Sequence, residues 1–293
     1  MHLRKLFVLE VLALSPEEFE SLATQRGSRS ARALKEHLTS LTGQTSVSLI
    51  PLQVVLPLEL ASAGGNAEIV RMLLDARASV NVGADARVTP LFSACSEGHV
   101  ETVRLLVEFR ADINVPAANG YTLLHEACSK GRCDVARFLI QAGADKDATS
   151  SDGPPLHMAI ALGNIGAVRV LLEARANMEA VPPLGTSALV AACASGQLQA
   201  TELLIQHRAQ LDFADDRGLV PLHVACFLGH LEIVRAFVHS RANLNLVTGD
   251  GFSALDAART RDHQDVVALL TEAGQATMTD RQPKRRRRMK GPP

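Results

Sequence analysis

The chain has 293 residues, of which 47% are hydrophobic, and a formal net charge of −1 at pH 7. Aromatic residues make up only 3%, with no Trp and one Tyr, so Leu, Val and Ala must form the core. No apolar run reaches the roughly 18 residues of a membrane span. The short stretch from Leu6 to Leu14 is interrupted by Glu10 and lacks a small-residue cleavage site, so it does not fit a signal peptide. We therefore predict a protein of the cytoplasm, the nucleus or both that neither crosses a membrane nor is secreted.

Residues 1–50 form the first predicted region. Apolar residues between Leu3 and Leu14 suggest one or two short strands, and Ser15-Pro16-Glu17 has the cap, the proline and the acid of a helix start. This order predicts a small α+β region, which is either a cap over the segment that follows or the first half of a ubiquitin-like fold. In the second case the protein would be a candidate adaptor of the ubiquitin pathway.

A leucine recurs every 32 or 33 residues through the middle of the chain, and the residues around it repeat with it. The seven leucines are Leu58, Leu91, Leu124, Leu156, Leu189, Leu222 and Leu255. A fixed period of this length indicates stacked supersecondary units, which bury their apolar faces against each other. We therefore predict a domain of seven repeats at residues 51–275.

The second copy shows how one unit is built. Thr89 can cap a short helix whose first residue is Pro90, and Gly98 can end that helix by adopting a positive φ. A second helix then has an apolar face made of Val100, Val103, Leu106 and Val107. Each repeat is therefore predicted to contain two helices joined by a tight turn.

Three short motifs in these copies resemble those of ankyrin repeats. They are T-P-L-H-like segments at Pro90-Leu91, Leu124-His125, Pro155-Leu156-His157 and Pro221-Leu222-His223, G-H turns at Gly98-His99 and Gly229-His230, and a G-A-D turn at Gly143-Ala144-Asp145. The resemblance implies an all-α ankyrin-repeat solenoid of helix-turn-helix units. It also implies that His125, His157 and His223 tie neighbouring loops together by hydrogen bonds.

The same resemblance places loop tips and first-helix residues on a surface that recognises a protein partner. Aromatic, aliphatic and charged side chains at such positions are natural anchors. The candidates are Tyr121, Lys130, Leu162, Leu184, Arg217, Phe227 and Leu228. Partial burial against a neighbouring repeat is the alternative explanation for these residues. We predict a monomeric, non-enzymatic scaffold or adaptor with a protein partner.

Four of the five cysteines occupy one repeat position, at Cys95, Cys128, Cys193 and Cys226. Packed helices lie about 8–10 Å apart, whereas a disulfide needs Cα atoms within roughly 7 Å. We therefore interpret them as structural thiols. Because the chain also lacks phosphate-loop, zinc and nucleophile-elbow motifs, we predict no enzyme activity, metal or cofactor.

Arginine stands where ankyrin repeats usually have a glycine after the second helix, at Arg77, Arg110, Arg175, Arg208 and Arg241. A left-handed backbone there costs a non-glycine residue about 1 kcal/mol. A cation near a helix C-terminus returns about 0.3–1 kcal/mol. The two effects roughly cancel, so this column is either a solvated face or a stripe that binds an acidic partner.

The last predicted region, residues 276–293, is a disordered basic tail, since seven Lys or Arg lie within 281–290. It resembles a single-cluster nuclear import signal formed by Lys284, Arg285, Arg286, Arg287, Arg288 and Lys290. Contact with nucleic acid, which we expect nowhere else in the chain, is a second interpretation. A tail that only aids solubility is the third.

Overall fold

The structure, a computed structural model, describes residues 55–75, 77–81, 89–117, 119–182, 186–214, 220–248 and 251–280. Side chains are described for these residues except 55–57 and 275–280. The predicted N-terminal region at 1–50 lies outside the described residues, and so do Leu184, Arg217 and the basic cluster at 284–290.

Regular structure in the described ranges is entirely α-helical, which confirms the predicted fold class. The helices are α1 (Val55–Ala63), α2 (Ala67–Asp75), α3 (Pro90–Glu97), α4 (Val100–Glu108), α5 (Leu123–Ser129), α6 (Cys133–Gln141), α7 (Pro155–Ala161), α8 (Ile165–Glu173), α9 (Ala188–Ala194), α10 (Leu198–Gln206), α11 (Pro221–Phe227), α12 (Leu231–His239), α13 (Ala254–Thr260) and α14 (Gln264–Asp280). Each odd-numbered helix is joined to the next by a short turn, as predicted for helix-turn-helix units.

The helix ends follow from the residues that the repeat supplies. The Thr89 side chain accepts a hydrogen bond from the Phe92 amide at 3.1 Å, and Pro90 opens α3. Gly98 ends the helix with φ of 87°. At the other end of the domain, α14 continues to Asp280. This last helix therefore reaches five residues into the region 276–293 for which the sequence predicts a tail.

The first compact unit ends at Pro155 and contains α1 to α6. Its first helices α1, α3 and α5 pack against their neighbours in sequence, as do its second helices α2, α4 and α6. Leu58, Leu91 and Leu124 are at most 1% exposed, and burial of a leucine side chain stabilises a fold by about 1.5–3 kcal/mol. The repeating leucine therefore lies in the core of this unit.

The second compact unit begins at Leu156 and contains α8 to α14 and nearly all of α7. Its first helices α9, α11 and α13 pack in order, and its second helices α8, α10, α12 and α14 do the same. Leu156, Leu189 and Leu222 are buried, whereas Leu255 in α13 is half-buried. The core position is thus less enclosed in the terminal repeat.

Candidate interaction surface

Two leucines are exposed where first helices end in the second unit. Leu162 follows α7 and Leu228 follows α11, and their side chains are 57% and 41% exposed. Each is followed by a left-handed glycine, Gly163 with φ of 69° and Gly229 with φ of 73°. The chain reverses at this glycine, so the preceding side chain lies at the edge of the first-helix layer.

The equivalent place between these two repeats carries only small side chains. Ala194 ends α9 and Ser195 follows it, and both are exposed, as is Ala161 at the end of α7. We call the five exposed residues Ala161, Leu162, Ala194, Ser195 and Leu228 the leucine edge. None of them carries a charge, so this edge combines leucines with small residues over which a partner can approach closely.

Phe227, the last residue of α11, adjoins the leucine edge but is half-buried. The guanidinium carbon of Arg261 lies over its ring, 4.3 Å from the ring centroid, at the distance of a cation–π contact. The Phe227 carbonyl oxygen accepts a hydrogen bond from His263 Nε2 at 3.2 Å. One face of the ring is therefore already covered by the next repeat.

Tyr121 in the first unit is held by side chains of its own unit. Its hydroxyl donates to Glu126 Oε2 at 3.0 Å and lies 3.1 Å from Ser129 Oγ. Its ring stacks on that of His125, with centroids 5.3 Å apart. The pKa of Tyr121 is raised to about 12, mainly because the side chain is buried. The phenol therefore stays protonated and is used mainly within the protein.

Glu126 is the centre of this polar cluster and is only 8% exposed. Ser96 Oγ from α3 donates to its other oxygen, Oε1, at 2.7 Å. The carboxylate thus has a partner on each oxygen, as a buried charge requires. Lys130, the cap residue of α5 in the same unit, is exposed.

A cleft of about 460 Å³ opens beside Tyr121 in the first unit. Phe92 and the loop after α4 line it, including Val115, which is 53% exposed. Asp112 is the one charged residue among the described residues of its lining. The first unit therefore also offers a concave, mostly apolar place for a partner side chain.

Three histidines bridge to loops that come later in sequence, as the motifs implied. Nε2 of His125 donates to Gly153 O at 3.0 Å, and Nε2 of His157 donates to Thr186 O at 2.8 Å. His223 Nε2 does the same to Phe252 O at 3.0 Å. A carbonyl can only accept, so the neutral ring carries its proton on Nε2. Burial lowers the pKa of all three.

The family model described as "Ankyrin repeats (3 copies)" matches residues 58–150, 156–248 and 207–281, together more than half of the chain. This chain belongs to the ankyrin repeat family. A crystal structure of the human ASB11 ankyrin repeat domain is 27% identical, with a TM-score of 0.62, and the match covers 73% of this chain and 97% of that one.

The ankyrin repeat domain of Bcl-3, described as a unique member of the IkappaB protein family, is also similar. Its crystal structure is 29% identical with a TM-score of 0.65, and the match covers 72% of this chain and 97% of that one. The search of curated proteins finds no match. These similarities confirm the ankyrin fold predicted from the motifs.

A second set of hydrogen bonds between ankyrin repeats does not follow from the sequence motifs. His99 Nε2 donates to Ala63 O at 2.8 Å, and Arg132 Nε donates to Ser96 O at 2.9 Å. These two hydrogen bonds, and the one from His263 to the Phe227 carbonyl, each link the turn of one repeat to the turn of the repeat before it. A long donor side chain directly after the left-handed turn residue, which is Gly98, Gly131 or Asp262, is the sequence signal for these hydrogen bonds.

The cysteine column is buried, as expected for structural thiols, and its members are not joined by disulfides. Burial raises the pKa of all four thiols, for Cys128 and Cys226 to about 12. They are therefore protonated and unreactive at neutral pH. Among the residues that the structure describes, no group of His, Cys, Asp and Glu is arranged to hold a metal.

None of the helices in the described part of the chain is long and apolar enough to cross a membrane. Of the predicted partner-binding residues, the structure thus places Tyr121 and Lys130 in the first unit and Leu162, Phe227 and Leu228 in the second.

Proposed function

We propose that this ankyrin repeat protein is a non-enzymatic scaffold or adaptor that binds a protein partner through the leucine edge. The observation that carries the proposal is the exposure of Leu162 and Leu228 at the same position of two repeats, with small residues between them in sequence. An exposed apolar side chain at the same position of two repeats can anchor a partner at two points.

Two further features support the leucine edge as a binding surface. The left-handed glycines and the turn hydrogen bonds, such as Leu162 N to Met158 O at 3.1 Å, hold the edge in one conformation. A surface that is ordered before binding loses little conformational entropy on association. The exposed part of each leucine side chain also contributes nothing to folding, because it stays in water.

The test is a quantitative comparison of proteins that copurify with the full chain from its native cell. Leu162→Asp combined with Leu228→Asp should remove a defined set of partners, because a carboxylate in an apolar contact is costly to desolvate. Val247→Asp is the matched control, since Val247 is also 57% exposed in the second unit but lies in the loop before α13 and not at the C-terminal end of a first helix. The same set should remain bound to it.

Identical partner lists for the double variant and the control would refute the leucine edge as the binding surface. Circular dichroism at 222 nm should show that both variants keep their helix content, since all three positions are exposed. A monomeric protein, as predicted, should give one species at the monomer mass in light scattering.

A second candidate function rests on the seven Lys and Arg residues within 281–290. A nuclear regulatory protein would use this cluster for import, or for contact with nucleic acid through phosphate charges. Deleting residues 283–290 should then move a fluorescent fusion out of the nucleus. An unchanged distribution would count against the import role.

A further inference from the structure

An arginine follows the end of three successive second helices in the second unit. Arg175, Arg208 and Arg241 follow α8, α10 and α12 in the left-handed conformation, with φ of 59°, 66° and 57°. We call these three residues the arginine row. Each lies at the position after the helix end that usually belongs to glycine, as Gly143 does after α6, with φ of 95°.

The backbone around the arginine row makes the hydrogen bonds of a Schellman motif. The Arg208 amide donates to Ile205 O at 2.9 Å, and the Ala209 amide donates to Leu204 O at 3.0 Å. Arg175 and Arg241 repeat the same pair of bonds. The motif sets the backbone conformation whatever the side chain is, and glycine adopts it without strain.

Folding does not explain why arginine occupies these positions. The strain of a left-handed arginine and its attraction to the helix C-terminus nearly cancel, and salt weakens the attraction at an exposed site. All three side chains are exposed, and none forms an ion pair within the described part of the chain. Their charges are therefore available to a partner.

The packing of the second helices spaces these charges regularly. Because α8 packs against α10 and α10 against α12, their ends follow one another at about 8–10 Å. An extended polypeptide rises about 3.3 Å per residue, so carboxylates three residues apart are separated by a similar distance. A guanidinium group also binds a carboxylate through two parallel hydrogen bonds.

We propose that the arginine row binds an extended acidic protein segment with a carboxylate at every third residue. Exposed acids lie close to the row in sequence, including Glu202 on α10 and Asp212 in the loop after it. A nucleic acid carries a phosphate on every nucleotide and would be repelled by these acids. Neutral residues between the carboxylates of a protein segment avoid that repulsion.

The proposal can be tested with the full chain and a fluorescein-labelled peptide of about 12 residues, in which Gly and Ser separate glutamates at every third position. Fluorescence anisotropy at about 50 mM NaCl reports binding while exposed charges are only moderately screened. The variant Arg175→Gly, Arg208→Gly, Arg241→Gly should lose affinity on the order of tenfold, the combined effect of three exposed ion pairs. Because glycine favours the left-handed conformation, this variant should keep its fold.

The control variant removes the same charge from other exposed positions of the second unit, as Arg169→Gln, Arg235→Gln, Arg259→Gln. Its affinity for the peptide should stay within about twofold of that of the unchanged protein, since the three arginines of the row that pair with the carboxylates are kept. Equal losses in the two variants would overturn the proposal, and so would an unchanged protein that does not bind the peptide.

Two competing probes complete the experiment. A peptide of the same composition with consecutive glutamates should bind less tightly, and equal binding would overturn the assigned spacing. A labelled oligo-dT of about 20 nucleotides should bind more weakly than the spaced peptide. Tighter binding of the oligonucleotide would overturn the choice of a protein segment as the ligand.

Discussion

The residue before the turn glycine has the same backbone position in every repeat, but its chemistry differs between the two units. In the first unit it is Gly64, Glu97 or Lys130, and the two charged side chains are exposed to water. In the second unit the residue before a turn glycine is Leu162, Ser195 or Leu228; all three are exposed, and the two leucines are apolar. The ankyrin fold therefore sets which side chains face outward, and the residue type sets whether the exposed side chain is polar or apolar.

A second position shows the same contrast. Tyr121 and Phe252 both follow a glycine and precede the cap residue of a first helix. The Tyr121 hydroxyl binds Glu126, whereas the repeat of Phe252 has Ala257 in place of that glutamate, and Phe252 is 39% exposed. In the first unit the side chain at this position makes a hydrogen bond within its own repeat, whereas in the second unit it stays partly exposed to solvent.

The largest expected effect is a difference in the free energy of unfolding between a variant at a buried leucine and a variant at an exposed one. Leu222→Ala should lower the free energy of unfolding by about 2–5 kcal/mol, since it leaves a cavity in the core. Leu228→Ala should change it by less than about 0.5 kcal/mol. Urea unfolding followed by circular dichroism measures both, and similar losses would mean that Leu228 supports the fold instead of a partner.

The next effect concerns the polar cluster of the first unit. Tyr121→Phe should destabilise the protein by about 1–3 kcal/mol, because one oxygen of the buried Glu126 carboxylate loses its tyrosine donor. Phe252→Tyr is the control at the equivalent position and should be nearly neutral. The same urea titration checks both changes, and a neutral Tyr121→Phe would show that the cluster is not coupled to folding.

A smaller effect of opposite sign is expected at Val220, the cap residue of α11, which supplies no side-chain hydrogen bond. Val220→Thr should stabilise the protein by about 1 kcal/mol, since a hydroxyl can cap the helix. It also gives a partner to Nδ1 of His223, which is buried without one, as Thr122 does for His125 at 2.8 Å. Val220→Ala should not stabilise, and a gain there would contradict the capping explanation.

The smallest expected effect is a change in pH dependence. Burial lowers the pKa of His157 below its ordinary 6.5, so the unfolded chain binds a proton at a higher pH than the folded chain does. The contribution of the neutral His157 to stability is therefore complete above about pH 6.5, and it is lost as the pH drops towards the folded pKa. His157→Gln should make this decline shallower in urea titrations from pH 7.5 to 5, and an unchanged decline would exclude His157 as a contributor.

Sequence reasoning reached the fold because the repeat period, the turn glycines and the helix caps are local signals. Thr89, Pro90 and Gly98 act within one helix, so their roles could be assigned without knowledge of any other repeat. The predicted surface was less complete. The sequence makes Tyr121 and Phe227 either anchors or partly buried residues, and their contacts with Glu126 and with Arg261 of the next repeat support partial burial.

What the sequence by itself determined is thus the family, the helix pairs and the column of buried leucines and thiols, since periodic burial leaves a periodic pattern. Only the tertiary structure decided which exposed positions are free. Contacts such as Arg132 to Ser96 O or Ser96 to Glu126 join residues about one repeat apart. They depend on how neighbouring repeats stack, and pairs of side chains that meet in this way leave no period in the sequence.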